Sequence, residues 1–183
     1  NLNIFLYEKS NILKQIKKDK IKEHNIVWLK NFNEIKKGPT LFFGNEFFDA
    51  IPIKQFKRMK KGVYEKYLNF NNDSSPKEIF KKVPRKTIEK LKKLNLLKRN
   101  GIIEYPAEGL KELEKIVKKI KILNGGLLLI DYGFLKSQNI STLQSVRFHK
   151  KNKIFSNVGL ADLTSLVNFS LLKNFLIKNN LRV

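Results

Sequence analysis

Six polar side chains lie at or shortly after the ends of apolar runs of the sequence, where they could take part in chemistry together. Each run is long and apolar enough to be a buried strand of a parallel sheet. Ligands of such a sheet bind outside the carboxyl ends of its strands, so these carboxylates and amides are candidates for one shared cleft. The six residues are Glu8, Asn31, Asn45, Glu46, Asp49 and Asp131.

Glu8 ends the apolar stretch "NIFLY" and is followed by a helical pattern that begins after Ser10. An acid at the end of a strand in this setting commonly accepts hydrogen bonds from both hydroxyls of a ribose. A second interpretation is purely structural, because a carboxylate is also favourable near the positive end of a helix. Position alone leaves both interpretations of Glu8 open.

Asn45 and Glu46 lie within "LFFGNEFFDA", which surrounds them with phenylalanines. If those rings form a poorly hydrated pocket, hydrogen bonds from the two polar residues to an amine or another cation would be strengthened. The structural alternative makes Asn45 a helix cap, places Glu46 in the first turn and assigns the phenylalanines to the core.

Apolar runs alternate with helical patterns, which predicts an α/β fold with a parallel sheet covered on both faces. Ser10 is the expected cap of the first helix, whose Ile12, Leu13 and Ile16 lie on one side. The predicted strands are Asn3–Tyr7, Ile26–Leu29, Thr40–Phe43 and Leu127–Ile130.

Residues 52–103 have a different pattern and are predicted to form an insertion on the substrate side of the domain. Alternating polarity around Lys60, Lys61 and Gly62 indicates a hairpin, and residues 71–76 indicate a loop. A helix is then expected to end at Gly101. The sequence thus predicts a core of residues 1–51 and 104–183.

The remaining elements follow from helical periodicity and short apolar runs. Pro106 starts a predicted amphipathic helix that stops at Asn124. The stretches "STLQSVRFHK" and "LRV" are predicted strands, with a helix supplied between them by "ADLTSLVNFSLLKNFLIKNN". No internal repeat or low-complexity segment is apparent in the 183 residues.

The formal net charge of +22 suggests a polyanionic partner such as RNA, DNA or an anionic membrane. Only five of the 38 basic residues are arginines, and the lysines are dispersed along the whole chain, which favours solvated surfaces over a nucleic-acid groove. The chain has no cysteine for a disulfide or a thiolate metal site. No run has the roughly 18 apolar residues of a membrane span, and the N-terminus lacks the order of a signal peptide, so we expect a soluble protein.

Four segments carry a resemblance to a known family. In their order and separation, "GNEFFDAIPIKQF", "LLLIDYG", "STLQSVRFH" and "ADLTSLVNFS" resemble the MidA-type S-adenosylmethionine-dependent methyltransferases, from Glu8 to the end of the chain. That family includes a mitochondrial complex I assembly-factor methyltransferase that acts on protein arginine. The resemblance implies a Rossmann-like class I methyltransferase sheet with an inserted subdomain, S-adenosyl-L-methionine as cofactor and an arginine-bearing protein as substrate.

The resemblance also implies roles for individual residues. Glu8 becomes the ribose-binding acid, Asn31 lies in the adenine-side loop, and Asp131 with Tyr132 closes the cofactor pocket. Asn45, Glu46 and Asp49 would face the methyl donor and the acceptor nitrogen, with Glu46 first and Asp49 second in gripping a guanidinium. Arg147 and His149 could bind a carboxylate of substrate or cofactor, or Arg147 could pair with Asp162. No metal ligand is expected.

The family's glycine-rich loop, which follows the first strand, has no counterpart ahead of Glu8. The chain also starts at Asn1 in a strand-like stretch. We therefore expect a fragment whose sheet has a gap at the central first strand, and weak or no cofactor binding by this segment alone. A cytoplasmic or mitochondrial-matrix location is expected. Two other functions stay open: a nucleic-acid methyltransferase or RNA-binding protein that uses the basic surface, and a non-catalytic assembly factor.

Overall fold

A computed structural model describes residues 2–22, 25–70, 76–98, 100–136 and 139–183. The chain divides into two compact units. The first comprises Asn1–Phe42 and Lys118–Leu127, and the second comprises Phe43–Val117 and Leu128–Val183. The inserted subdomain of residues 52–103 stays a prediction.

The first unit is built on two parallel strands, β1 (Ile4–Tyr7) and β2 (Ile26–Leu29), joined by helix α1 (Asn11–Lys20). The Ser10 hydroxyl accepts the amide of Leu13, so the predicted helix cap is confirmed. A short 3-10 helix, Phe32–Glu34, follows β2. The core of the unit is apolar and includes Leu29, Phe32, Ile35, Phe42, Ile120 and Leu123, whereas the apolar side of α1 is exposed at Ile12, Leu13 and Ile16.

Strands β3 (Leu41–Asn45) and β8 (Gly126–Ile130) form a two-stranded sheet, and each strand passes from the first unit into the second. Gly44 permits close approach of the two strands, because a Cβ at this position would lie 2.9 Å from a methyl group of Leu129. The close pairing brings the residues that follow β3 next to those that follow β8.

A four-stranded antiparallel sheet consists of β4 (Lys54–Met59), β5 (Gly62–Asn69), β6 (Lys77–Lys82) and β7 (Gly101–Tyr105) in the order β6-β5-β4-β7, with helix α2 (Arg85–Lys93) between β6 and β7 in the chain. The predicted hairpin around Gly62 is confirmed, and the strand β6 was not predicted. Helix α2 stops at Lys93, not at Gly101, because Asn95 adopts a left-handed conformation with φ 59°. Residues 71–75 of the predicted loop lie outside the described residues.

Helix α3 (Ala107–Leu123) has the predicted amphipathic stripe. All five apolar positions of the stripe are at most 6% exposed, and the most central, Leu113, is fully buried. Fully burying such a side chain stabilises a fold by about 1.5–3 kcal/mol. The helix ends where Asn124 takes a positive φ of 48°. The stripe consists of Leu110, Leu113, Ile116, Val117 and Ile120.

The C-terminal region carries three short antiparallel strands, one parallel strand pair and helix α4 (Phe169–Lys178). The predicted strand "LRV" is wrong: the amide of Leu181 donates to the Leu176 carbonyl and so closes the end of α4. The antiparallel strands are β10 (Gln144–Arg147), β11 (Lys150–Asn152) and β12 (Asp162–Thr164), and the parallel pair is β9 (Gly133–Phe134) with β13 (Val167–Asn168).

The predicted α/β class is confirmed, but the strands form pairs and small sheets instead of one continuous ladder. Within the described residues, no helix is both long and apolar enough to cross a membrane.

Candidate functional site

Glu8 follows β1 in the first unit, and both of its carboxylate oxygens contact α1 or its cap. One oxygen accepts the amide of Ser10 at 3.0 Å, and the other accepts the ammonium group of Lys17. Burial by itself would raise the pKa of Glu8, but the hydrogen bond and charge of Lys17 and the Ser10 amide outweigh it and lower the pKa. Glu8 is therefore ionised at neutral pH, and each oxygen keeps a lone pair for a further donor.

Asn31 follows β2 in the same unit. The parallel register aligns Tyr7 with Leu29, so Glu8 and Asn31 lie at the same edge of the β1–β2 pair. Asn31 caps the short 3-10 helix: its side-chain oxygen accepts the Asn33 amide at 2.9 Å, and Glu34 accepts the Asn31 amide in return. The presence of Asn31 at this position is explained by its role as a helix cap. Its predicted contact with adenine stays a prediction.

Asp131 connects two loops of the second unit. One carboxylate oxygen accepts the amides of Phe48 and Asp49, at 2.8 and 3.3 Å, and the other accepts the amide of Tyr132 at 2.8 Å. The Glu46 amide in the same turn donates to the Ile130 carbonyl at 2.9 Å. Asp131 thus fixes the turn after β3 against the end of β8.

Asp49 is held inside this turn in an unusual electrostatic setting. Its Oδ1 is buried and has no hydrogen-bond partner among the described residues. Burial raises the pKa of Asp49, and the negative charges of Asp131 and Glu46 raise it further, against a smaller opposing effect of the Ala50 amide. The backbone is fixed as well, because the Asp49 carbonyl accepts the amide of the buried Ser165 at 2.9 Å.

The predicted aromatic pocket around Asn45 and Glu46 is wrong. Both residues are exposed, and Phe43 is 63% exposed because it points to the opposite side of β3 from the buried Phe42. The helix-cap alternative is also wrong, since a turn follows β3 in place of a helix. Glu46 takes a left-handed φ of 47°, which turns the chain toward the amides that Asp131 binds.

Arg147 ends strand β10, and His149 lies in the two-residue tip of the β10–β11 hairpin. The guanidinium of Arg147 donates to Asn157 Oδ1 at 2.8 Å and lies 4.9 Å from the ring centre of Phe148, while its buried Nε has no partner among the described residues. Its hydrogen-bond partner is Asn157, not the expected Asp162. His149 is exposed and has a φ of 58°.

The structure therefore brings the predicted residues together in three groups. Two groups belong to the second unit: the turn after β3 with the end of β8, and the β10–β11 hairpin. The third belongs to the first unit. The groups are Asn45, Glu46, Asp49, Asp131 and Tyr132; Arg147 and His149; and Glu8 and Asn31. No set of three or more His, Cys, Asp or Glu side chains in the described ranges is arranged to hold a metal ion.

Sequence reasoning missed the residues that support Asp49 and its surroundings. Ser165 was not singled out, although its backbone holds Asp49. A second polar network was also missed, in which Glu104 accepts hydrogen bonds from Gln55 and Thr142. Glu104 lies between the apolar Ile103 and Tyr105 like an ordinary solvent-facing strand position, and its partners are distant in the sequence, so no local pattern indicates this network.

Comparison with known proteins identifies the family. The model of the family described as "Putative S-adenosyl-L-methionine-dependent methyltransferase" matches residues 1–183. The chain belongs to this family. The predicted family resemblance is thereby confirmed over the whole chain.

Curated relatives point the same way. The chain is 32% identical over 150 residues to the mitochondrial "Protein arginine methyltransferase NDUFAF7 homolog" of Caenorhabditis elegans. It is 28% identical over 148 residues to "Protein arginine methyltransferase NDUFAF7, mitochondrial" of Danio rerio. Each match covers 81% of this chain but only 35% of the relative, so the chain spans about a third of the length of these proteins.

Two crystal structures from Burkholderia thailandensis share the fold. One is described as a "likely methyl transferase" bound to S-adenosyl-homocysteine, with a TM-score of 0.72, and the other is a native structure with a TM-score of 0.73. Both are 18% identical to this chain and cover 97% of it, whereas the chain covers 48% and 50% of them. The similarity confirms the predicted methyltransferase fold.

Proposed function

We propose that this chain is part of an S-adenosyl-L-methionine-dependent methyltransferase that methylates an arginine of a partner protein. The observation that carries the proposal is the buried, unpartnered carboxylate oxygen of Asp49 beside two further carboxylates, Glu46 and Asp131. Family membership and the printed names of the curated relatives support the reaction class.

A guanidinium suits this setting for reasons of charge and geometry. No ion pair in the described part of the chain neutralises Glu46, Asp49 or Asp131. A guanidinium carries five N–H donors in a planar fork that matches carboxylates, and it would supply the missing positive charge. It would also satisfy the buried Oδ1 of Asp49, which otherwise costs desolvation free energy.

Glu46 and Asp49 would have different roles at the acceptor arginine. The exposed Glu46 is free to turn toward an incoming arginine, and the fixed Asp49 would orient one of its N–H groups. When bound, the cofactor would supply an electrophilic methyl group from its sulfonium. A nitrogen that gains a methyl group must lose a proton, and the raised pKa of Asp49 makes it a better proton acceptor than an ordinary aspartate.

The predicted cofactor-binding residues are proposed to keep the roles that the family resemblance implies. Glu8 fits the ribose hydroxyls, because it is ionised and each oxygen keeps acceptor capacity. Asn31 would lie toward the adenine, and Asn45 and Tyr132 toward the methionine end. Asp131 would act through the turn that it fixes, since its oxygens already accept three backbone amides.

Other parts of the chain complete the proposal. Arg147, whose Nε is buried without a partner, and the exposed His149 would bind a carboxylate of the substrate. Residues 52–103 would form a substrate-side subdomain of a core built from 1–51 and 104–183. The relatives' names favour a mitochondrial location over a bacterial cytoplasm, and an arginine-bearing protein partner over a nucleic acid.

The test is transfer of label from isotopically labelled S-adenosyl-L-methionine to proteins of a cell extract, followed by mass spectrometry. The full-length protein should label arginine, and Glu46→Gln should reduce the rate by roughly 100-fold, a typical contribution of one positioned acid or base. Glu89→Gln, an exposed carboxylate on α2, is the matched control and should retain the full rate. Equal labelling of RNA, or an unimpaired Glu46→Gln protein, would contradict the proposal.

A further inference from the structure

A cavity of about 650 Å³ opens within the second unit, a size typical of ligand-binding pockets. Its walls come from β7, from α4, from the turn after α2 and, between β9 and β10, from residues 135–136 and 139–142. Among the described residues that line it, none belongs to the predicted catalytic or cofactor-binding set. The cavity is therefore distinct from the predicted catalytic and cofactor-binding residues and can hold a separate ligand.

Two residues connect this cavity to the turn that holds Asp49. The ring of Phe48 lines the cavity and is 3% exposed, while its backbone amide donates to Asp131. Ser165 also lines the cavity, and its amide donates to the Asp49 carbonyl. An occupant of the cavity would therefore be separated from the proposed acceptor site by a single layer of residues.

The lining has an apolar floor and a positively charged rim. Buried Ile103, Val167 and Leu171 belong to the floor, and the exposed Leu135 and Ile140 extend the apolar surface to the mouth. This combination suits an apolar side chain that enters from solvent.

Lysines supply the charge at the mouth. Lys98 and Lys136 are both exposed there, whereas the carboxylate lining the cavity, Glu104, is held by Gln55 and Thr142 as part of the wall. The amide side chains of Asn95, Gln144 and Asn174 also line the cavity and match the polar groups of a peptide backbone better than an acyl chain.

We propose that this cavity binds an extended segment of the acceptor protein next to the methylated arginine, with one apolar side chain on the floor and an acidic side chain against Lys98 and Lys136. The inference rests on the proposed function for its arginine, but the binding of the flanking residues is separable from methyl transfer. It gives the substrate a chemical description: an arginine whose neighbours include an apolar residue and an acid.

The experiment measures binding of fluorescent nine-residue peptide pools to the full-length protein by anisotropy, with no methyl transfer required. Each pool has a central arginine and one flanking position fixed as Leu, Glu, Lys or Gly. We expect Leu and Glu pools to bind more tightly than Gly pools at particular positions, and Lys pools to bind more weakly.

Two variants test whether the cavity causes these preferences. Ile140→Asp should remove the preference for Leu, a loss of about tenfold in affinity. The double variant Lys98→Glu, Lys136→Glu should weaken Glu pools by roughly three- to tenfold and favour Lys pools. Val158→Asp and Lys150→Glu, at exposed positions outside the cavity, are the matched controls and should change neither preference.

The outcomes separate this inference from the proposed function. If replacing the central arginine by alanine changes neither the affinity nor the flanking preferences, the cavity inference is supported while the proposed arginine specificity fails. Preferences that are absent, or unchanged in the cavity variants, overturn the inference even if arginine is methylated. The inference is also overturned if the cavity binds an acyl chain. In that case dodecanoate displaces a dansyl fatty acid from the protein, Ile140→Asp abolishes this binding, and the peptide pools show no flanking preference.

Discussion

Asp49 combines a buried oxygen that lacks a partner with two neighbouring negative charges, and this combination destabilises the folded chain while its carboxylate is ionised. Functional sites often retain such costs because the ligand relieves them. The residue scale therefore offers a direct test, since stability and activity should respond to Asp49 in opposite directions.

We predict that Asp49→Asn raises the free energy of unfolding at pH 7 by on the order of 1 kcal/mol and abolishes methyl transfer. The folded-state pKa lies above the ordinary value of 3.8, so the folded chain binds the proton more tightly than the unfolded chain. The contribution of protonated Asp49 to the free energy of unfolding is thus lost as the pH rises from 3.8 through the raised pKa. Below pH 3.8 Asp49 is protonated in both states, so Asp49→Asn should no longer be more stable than the original protein. Denaturation of both proteins at pH 7 and about pH 3 measures the difference, with Asp19→Asn as control. A lower stability at pH 7 would contradict the prediction.

Asp131 has the opposite character, because its oxygens are satisfied by three backbone amides. We predict that Asp131→Ala lowers the free energy of unfolding by about 3 kcal/mol, since three donors lose a charged acceptor. Urea denaturation checks this value. Asp19→Ala, which loses one exposed side-chain hydrogen bond, should cost far less. Equal losses in the two variants would show that Asp131 does not fix the turn.

At the scale of elements, the β10–β11 hairpin has an unfavourable turn. Arg147 pairs with Lys150, so the loop consists of Phe148 and His149, whose φ values are 49° and 58°. A two-residue turn with positive φ at both positions strongly favours the pair Asn-Gly. An aromatic residue at either of these positions is strained. Phe148 is also 80% exposed, so burial does not compensate for the strain.

We predict that the double substitution Phe148→Asn, His149→Gly stabilises the chain by about 1 kcal/mol, because it relieves the strain at both positions. Thermal denaturation at neutral pH provides the measurement. The reverse comparison is Phe148→Val with His149 retained, which should destabilise because a β-branched residue is disfavoured at positive φ. If Asn-Gly gives no gain in stability, the left-handed conformation of the tip is not a source of strain.

The elements also show where sequence reasoning succeeds. Ile26–Leu29 and the Ser10 cap depend on local pattern and were predicted at their observed positions. The contact between Asp131 and the Phe48 amide joins residues 83 positions apart, and no local pattern encodes it. Sequence could propose Asp49 and Asp131 as site residues, but it could not show that Asp131 fixes the turn that carries Asp49. The missed strand β6 is rich in lysine, which weakens its alternating pattern.

At the scale of the whole molecule, the net charge of +22 is the feature that favours the nucleic-acid alternative. Several lysines have structural contacts that account for their positions: Lys57 lies 5.2 Å from the ring centre of Phe80, and Lys81 lies 5.2 Å from that of Tyr67. Others form ion pairs within elements, such as Lys115 with Glu112. Contacts of this kind account for the positions of these lysines without a nucleic-acid partner.

We predict that the protein binds RNA and DNA only non-specifically, with an affinity that falls steeply between 50 and 200 mM salt. Binding releases the cations condensed on the nucleic acid, and added salt opposes that release. Charge reversal at Lys37, Lys61 or Lys153, three exposed and well-separated positions in the sequence, should weaken binding by similar small factors. A dedicated groove would make one reversal far more damaging than the others and would leave sequence preference at high salt. Filter binding of random and defined-sequence RNA to the three variants at both salt concentrations decides between these outcomes. Because a dispersed charge attracts any polyanion equally, only the dedicated groove could direct methyl transfer to a particular base.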